Sequence, residues 1–320
     1  MEIVRFCENF CSQAADLALA NYEEERAFVT VLPAIGDIPW VKKFASNGLG
    51  VAAVDSGRLL GFLCCTDPIK NHFGCSTGVF SPIHAHGAVY ENRKRIFSKL
   101  YEAAAGLWVR HGITSHAIAL YAHDRPAVES FFWNGFGLRC TDAIYQVEPE
   151  MTGHVTDDIF FELPVGDAGE ILKLKNALIN HLIISPVFIP LSQVMEEEFA
   201  DGSKKRGSRF FCAKKGPDIV GYIEISPYGE NFVTGERTMA NICGAYLKEN
   251  WRGTGVFTDL LSFVIRTLAG EGFLRLGVDF ESFNPTAREF WLKFFTPYTY
   301  SMTRRIDERI VDIQVHVPVV

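Results

Sequence analysis

Two short stretches in the second half of this 320-residue chain hold the residues best suited to chemistry. The first is Ala245-Tyr-Leu-Lys-Glu-Asn-Trp-Arg-Gly-Thr-Gly-Val-Phe-Thr258. A strand expected over 240–247 runs there into a short polar turn, and a helix begins near Gly255. Glycines at 253 and 255 let a backbone come close to a ligand. The unpaired N–H groups of a helix start, at the positive end of its dipole, suit a pyrophosphate, and Arg252 adds a charged donor fork. The spacing fits neither the lysine-bearing phosphate loop nor G-x-G-x-x-G, because Phe257 and Leu260 stand where further glycines would be needed.

The second stretch carries Asp279 and Glu281, which alternate about Phe280, so a strand puts both carboxylates on one face. A central parallel strand is usually apolar on both faces. The pair therefore reads as a base, as a pair gripping a cationic amine, or as ion-pair partners of Arg275 or Arg288. Glu224 reads as a solvated edge acid, and Lys204, Lys205 and Arg206 as a solvated loop. His84 and His86 also alternate, but a metal site would need a third ligand from His72 or His123; ordinary polar histidines and no metal are expected. Phe290, Trp291, Phe294 and Phe295 recur at helical spacing and read as core.

The elements that must position these residues recur at an offset of 160. Gly61 matches Gly221, Phe97 and Leu100 match Phe257 and Leu260, Gly112 matches Gly272, and Ala127 matches Ala287. Phe97, Leu100, Tyr101, Ala104 and Trp108 repeat as Phe257, Leu260, Leu261, Val264 and Leu268, one face of an amphipathic helix each time. The two halves are expected to be 1–150 and 158–320, joined in the polar stretch 148–158. Each reads as a strand, a helix, a variable segment, a hairpin and a β-α-β-α tail. That order predicts an α/β fold with a mixed sheet and helices on both faces, built twice.

With these motifs in place, the chain resembles the GNAT acetyltransferase superfamily. The family's first signature, Arg/Gln-x-x-Gly-x-Gly/Ala, becomes Arg252-x-x-Gly255-x-Phe257, departing at the last position. The second, Asn-x-x-Ala followed by an aromatic residue, becomes Asn284-Pro-Thr-Ala287 leading to Trp291. The resemblance implies that acetyl-CoA is bound by Tyr246, Leu247, Arg252, Gly253, Thr254, Gly255, Val256, Phe257, Thr258, Asn284, Ala287 and Trp291. It implies that a backbone N–H of Tyr246 or Leu247 polarises the thioester carbonyl. Trp291 holds the place of the usual tyrosine acid and cannot donate a proton; either another tyrosine substitutes, with Tyr246, Tyr298 and Tyr300 the candidates, or no acid is needed, or the protein is not a catalyst. The implied catalytic set is Glu281, Asp279 and Tyr246. The first half keeps Asp124-Arg-Pro-Ala127 but has Asn92 and Arg95 in place of Arg252 and Gly255, which implies a degraded phosphate site, or one where Arg93, Lys94 and Arg95 hold phosphate by charge alone.

Bulk properties narrow the classes. A net charge of −7 disfavours a nucleic-acid partner, and with it an aminoacyl-tRNA donor. The first residues do not resemble a signal peptide, no apolar stretch is long enough to span a bilayer, and none of the eight cysteines forms a C-x-x-C pair; several cysteines sit in apolar runs and read as buried free thiols, and the protein is expected to be cytoplasmic. The expected activity is an N-acetyltransferase moving an acetyl group from acetyl-CoA to an amine of a small molecule or peptide by direct attack. A non-catalytic acyl-CoA-binding or scaffold protein is the alternative.

Overall fold

The computed structural model describes residues 1–38, 41–148 and 159–313. The chain forms two compact units, one of 1–141 with 297–320 and one of 142–296.

The first unit opens with β1 (Glu2–Arg5), a 3-10 turn and α1 (Cys11–Phe28), then α2 (Val41–Ala45). Strands β2 (Val51–Asp55), β3 (Arg58–Leu63), β4 (Gly78–Ser81) and β5 (His86–Ala88) follow. After them come α3 (Arg93–Arg110), β6 (Ser115–Tyr121), α4 (Arg125–Trp133) and β7 (Gly137–Gln146). β1, β2, β3 and β5 pair antiparallel in that order, and β4 lies parallel to β6. The expected face of α3 is buried against them: Phe97, Leu100, Tyr101, Ala104 and Trp108 all lie in the core.

The second unit contains β8 (Phe160–Leu163), α5 (Leu172–Ile183), α6 (Glu196–Arg206), β9 (Arg209–Lys215), β10 (Asp218–Ser226) and β11 (Met239–Leu247). α7 (Val256–Gly270), β12 (Arg275–Glu281) and α8 (Pro285–Trp291) complete it, and β13 (Thr296–Arg305) comes last in the chain. β8, β9, β10 and β11 run antiparallel, and β11 pairs with β12 in parallel. The period of two sorts β9 between layers. Phe211 and Ala213 join the α7 core, while Phe210 and Cys212 join a second core with Phe199 of α6 and Leu174 of α5. Helices therefore cover both faces, as the mixed-sheet expectation required.

The units differ from a cut into 1–150 and 158–320 at their last strands. β13 is hydrogen-bonded along β6, from Thr299↔Tyr121 to Arg305↔Ser115, and counts with the first unit. The end of β7 from Asp142 counts with the second, where the Val147 N–H donates to the Leu274 carbonyl at 3.0 Å. Backbone groups at a strand edge need partners wherever the chain supplies them. The proposed junction 149–158 lies outside the described residues. No helix among the described residues is long and apolar enough to cross a membrane.

Candidate active site

β11 and β12 pair from Met239↔Arg275 to Ile242↔Val278 and then part, while β11 continues beside β10 as far as Leu247. The register of β11 against β10 slips at this point: Ile225 pairs with Ile242 and Glu224 with Gly244, leaving Cys243 as the extra residue of a bulge. A bulge bends its strand away from the partner. The parting strands open a cleft of about 890 Å³.

One wall of the cleft is the end of β11 and the turn after it. The Lys248 N–H donates to the Val220 carbonyl at 2.9 Å, and Tyr246 stands opposite Tyr222 in the same register. Successive N–H groups of a strand alternate in direction. Those of Tyr246 and Lys248 thus face β10, and those of Ala245 and Leu247 face the cleft. Gly253 and Gly255 have φ of 74° and 88°, the left-handed region that favours glycine, and Gly255 is the N-cap of the fifteen-residue α7. The first N–H groups of that helix have no partner within it. Arg252 is partly engaged: its Nε donates to the Leu247 carbonyl at 3.3 Å, and its guanidinium lies 5.5 Å from the Tyr246 ring centre. Phe257 and Thr258 also line the cleft, and the Phe257 ring packs on Phe290 at 4.8 Å. Thr254 and Val256 do not line it. The Thr254 hydroxyl donates to the Trp251 carbonyl at 2.6 Å, and the Val256 side chain is buried in the core.

The other wall carries Asp279, Glu281, Asn284, Ala287 and Trp291. Asn284 caps α8, its Oδ1 accepting from the Ala287 N–H at 3.5 Å. The same oxygen lies 3.3 Å from Nε2 of His181, which reaches over from α5 with Leu178 and Leu182. Nothing in the sequence singled out His181; it ends an apolar helical face, and only the packing of α5 brings it to the cleft.

Asp279 is closely enclosed but keeps a face to the cleft. Burial, then the negative charges of Asp142, Glu230 and Glu281, push its carboxyl up from 3.8 to about 7. Of the two arginines weighed as partners of the acid pair, Arg288 donates to the Ser282 carbonyl at 2.9 Å, and Arg275 to the Thr238 hydroxyl at 3.0 Å and to Glu236. Of the three candidate tyrosines, Tyr246 alone lines the cleft; Tyr298 and Tyr300 sit on β13 in the first unit.

Glu224 corrects the sequence reading. It is 1% exposed, because α5 and α6 lie over its face of the sheet. It accepts from Arg206 and Ser208 at 2.8 Å each and lies 3.4 Å from Lys175. Burial works against ionisation, yet these cations and donors hold its carboxyl below the usual value. Arg206 accordingly belongs to the last turn of α6 and not to a loop. Of the cysteines, Cys64, Cys65 and Cys212 are buried as expected, while Cys243 faces the cleft.

The matching place in the first unit is filled. Gly61 pairs there with Ala88 as Gly221 pairs with Leu247. The Ala88 N–H donates to Asn21 Oδ1 at 3.0 Å, and the Ala88 carbonyl accepts from Asn21 Nδ2 at 3.1 Å. Arg93, at the start of α3, turns inward to Glu24 at 2.6 Å and Asp124 at 3.1 Å and is 3% exposed. Lys94 is paired with Glu129 at 2.7 Å. Two of the three basic residues weighed as a phosphate site are thus already neutralised. His84 and His86 are buried, and burial lowers both to about 4, so both are neutral near pH 7. His86 Nε2 lies 2.6 Å from the Ala119 carbonyl. No group of three metal-ligating side chains occurs among the described residues.

Residues 177–295 match the family model of the acetyltransferase (GNAT) family. The chain is similar in fold to a GCN5-related N-acetyltransferase from Sphaerobacter thermophilus, at 10% identity and a TM-score of 0.59, over 95% of each chain. It is also similar to a glucosamine N-acetyltransferase region in a fungal multi-domain β-N-acetylglucosaminidase, at 9% identity and a TM-score of 0.51, over 94% of this chain and 38% of that one. No curated protein matches in sequence. These likenesses establish the GNAT fold, and the sequence match falls on the part of the chain that holds the cleft.

Proposed function

We propose that this protein is an N-acetyltransferase that uses acetyl-CoA in the cleft of the second unit, and that the first unit is a related fold with its cofactor groove filled. The observation that carries the reading is the parting of β11 from β12 directly before the glycine turn. It leaves two outward N–H groups, a helix start and a half-buried carboxyl around one cavity. A Cβ on Gly253 or Gly255 would meet nothing within 4 Å, so the turn has room for a phosphate.

Acetyl-CoA, when bound, supplies an acetyl group as a thioester. Arg252, the glycine turn and the first N–H groups of α7 would hold its phosphates. The Leu247 N–H, with that of Ala245 beside it, donates to an oxygen on which negative charge develops. Tyr246 takes its place in the ladder to β10, so of the two residues the fold family implied, Leu247 has its N–H free for this role. Asp279, poised near neutrality, accepts a proton from the incoming ammonium so that a neutral amine can attack. Glu281 beside it grips the acceptor. Tyr246 is the tyrosine placed to return a proton to the departing thiolate.

Calorimetry with acetyl-CoA, followed by mass spectrometry of amines incubated with it, tests the reading. One site per chain and an acetylated amine are expected, and Glu281→Gln should keep acetyl-CoA affinity while losing turnover. Two equal sites would refute the filled groove. Binding without transfer to any amine would leave an acyl-CoA-binding protein.

A further inference from the structure

The face of β12 that carries Asp279 looks toward α5. Leu276, Val278 and Phe280 lie in the core built around α7, so the alternation of a strand turns Gly277, Asp279 and Glu281 to the opposite layer. From that layer Leu178, His181 and Leu182, spaced i, i+3 and i+4 on α5, line the same cleft as Asp279. His181 is drawn to Asn284 at 3.3 Å. The other contributions of α5 to the cleft are the two leucines.

The apolar surface does not stop at Leu182. Residues 182–195 carry no charged side chain. The Ile189 N–H donates to the Leu182 carbonyl at 2.8 Å and the Phe188 N–H to the Ile184 carbonyl at 3.2 Å, which folds this segment back on the end of α5. Val187 is buried, but Ile183, Ile184, Phe188 and Leu191 are exposed, Phe188 by 69%. Single exposed apolar residues are ordinary, whereas a run of them bordering a cavity marks a binding surface. Phe188 also holds a φ of 54°, a costly conformation for a bulky L side chain. Glu196, Glu197 and Glu198 follow directly, in the first turn of α6. Their charge repels an anionic lipid surface and draws a cation.

The chemistry of transfer suits an apolar handle. An ammonium cannot attack a carbonyl. Its nitrogen loses one proton to Asp279. As the C–N bond forms and the C–S bond breaks it loses a second, while the thiolate leaves and takes up one proton, through Tyr246, to become free thiol. Attraction for the ammonium is thus lost before the transition state, whereas contact with a hydrocarbon is indifferent to the proton and is kept. Interactions kept in the transition state accelerate the reaction, and those lost before it do not. Resting on the acetyltransferase reading above, we propose that the acceptor is an amphipathic amine: a primary amine that reaches Asp279, on a hydrocarbon body that lies along Leu178 and Leu182 and out over Ile184 and Phe188.

The test compares kcat/KM with acetyl-CoA along the series ethylamine, butylamine, hexylamine and octylamine, with 6-amino-1-hexanol and glucosamine as polar acceptors. The value should rise about threefold for each added methylene that meets apolar surface, and hexylamine should exceed both polar acceptors. The double variant Ile184→Ser with Phe188→Ser changes two exposed side chains and should flatten the series from butylamine to octylamine. A flat series in the natural protein, a preference for glucosamine or the amino alcohol, or an unaltered slope in the double variant would overturn the inference and leave the acetyltransferase reading standing. So would a dimer in sedimentation, or binding to phosphatidylserine vesicles, that the double variant abolishes, since the surface would then have another occupant. Transfer to no amine would overturn both.

Discussion

An ionised carboxylate enclosed among three others raises the free energy of the folded chain, and Asp279 is in that position. Its carboxyl is held at about 7 instead of 3.8. The folded state therefore binds the proton more tightly than the unfolded one. Stability falls as pH rises from about 4 through 7, at about 1.4 kcal/mol per pH unit across that window, and then levels off. Asp279→Asn removes the charge and keeps the shape. It should raise the urea midpoint clearly at pH 8 and little at pH 4; an equal effect at both values would mean the carboxyl is not perturbed. The same group should set an inflection near pH 7 in kcat/KM, activity rising with pH as Asp279 becomes a base, and the inflection should vanish in the variant. Gly255 is the other residue where one change reads cleanly. Its φ of 88° strains any L side chain, and a carboxylate at a helix start repels a phosphate. Gly255→Glu should weaken acetyl-CoA binding by more than about tenfold, measured by calorimetry, with circular dichroism confirming the fold. Gly255 was legible in the sequence because φ and residue type are tied locally. Glu224 was not: its burial depends on α5 and α6, which no pattern of period two reveals.

In the first unit one helix closes backbone groups like those that stand open in the second. α1 brings Asn21, Glu24 and Glu25 along one side, and each meets a group in the groove: Asn21 the Ala88 backbone, Glu24 Arg93, and Glu25 the ring of His123 at 2.8 Å. The amide of Asn21 donates and accepts at once, so the strand-edge groups that Leu247 leaves open in the second unit are closed at Ala88. Asn21→Leu should destabilise the protein by about 1–3 kcal/mol, the cost of leaving a buried backbone donor and acceptor unpaired, seen as a lower urea midpoint. An unchanged midpoint would mean water replaces the amide freely. The periodic faces of α3 and α7 were readable as core because burial follows the 3.6-residue period. Phe257 is the exception at the edge of that face: it is only partly buried and turns to Phe290 and Trp291 beside the cleft. The polar face of α1 gave no such signal, since residues that plug a groove and residues that meet solvent have the same types and the same spacing.

At the scale of the whole chain, the division into two units and the division of the sequence into halves do not coincide, and this has a measurable consequence. β6 is buried along all seven of its residues, and one of its neighbours in the first unit is β13, contributed from 150 residues or more further along. The second unit likewise takes in the end of β7, with Ala143 and Val147 in its core. The sequence marks β7 and β13 as strands by composition but says nothing of their partners, because pairing joins residues that no local pattern connects. A fragment of residues 1–148 would expose the edge of β6 that β13 covers, and an unpaired apolar strand edge invites aggregation. A fragment of residues 159–320 would lack the core residues that β7 supplies and would carry β13 without its partner strand. Each half expressed alone should therefore be insoluble or poorly folded, whereas the two expressed together should yield a soluble complex of one copy each that binds acetyl-CoA. Amide exchange on that complex should protect β6 and β13 as in the intact chain. If 159–320 alone folds cooperatively and binds acetyl-CoA with full affinity, the exchanged strands add nothing to the cleft, and the second half is a self-sufficient unit.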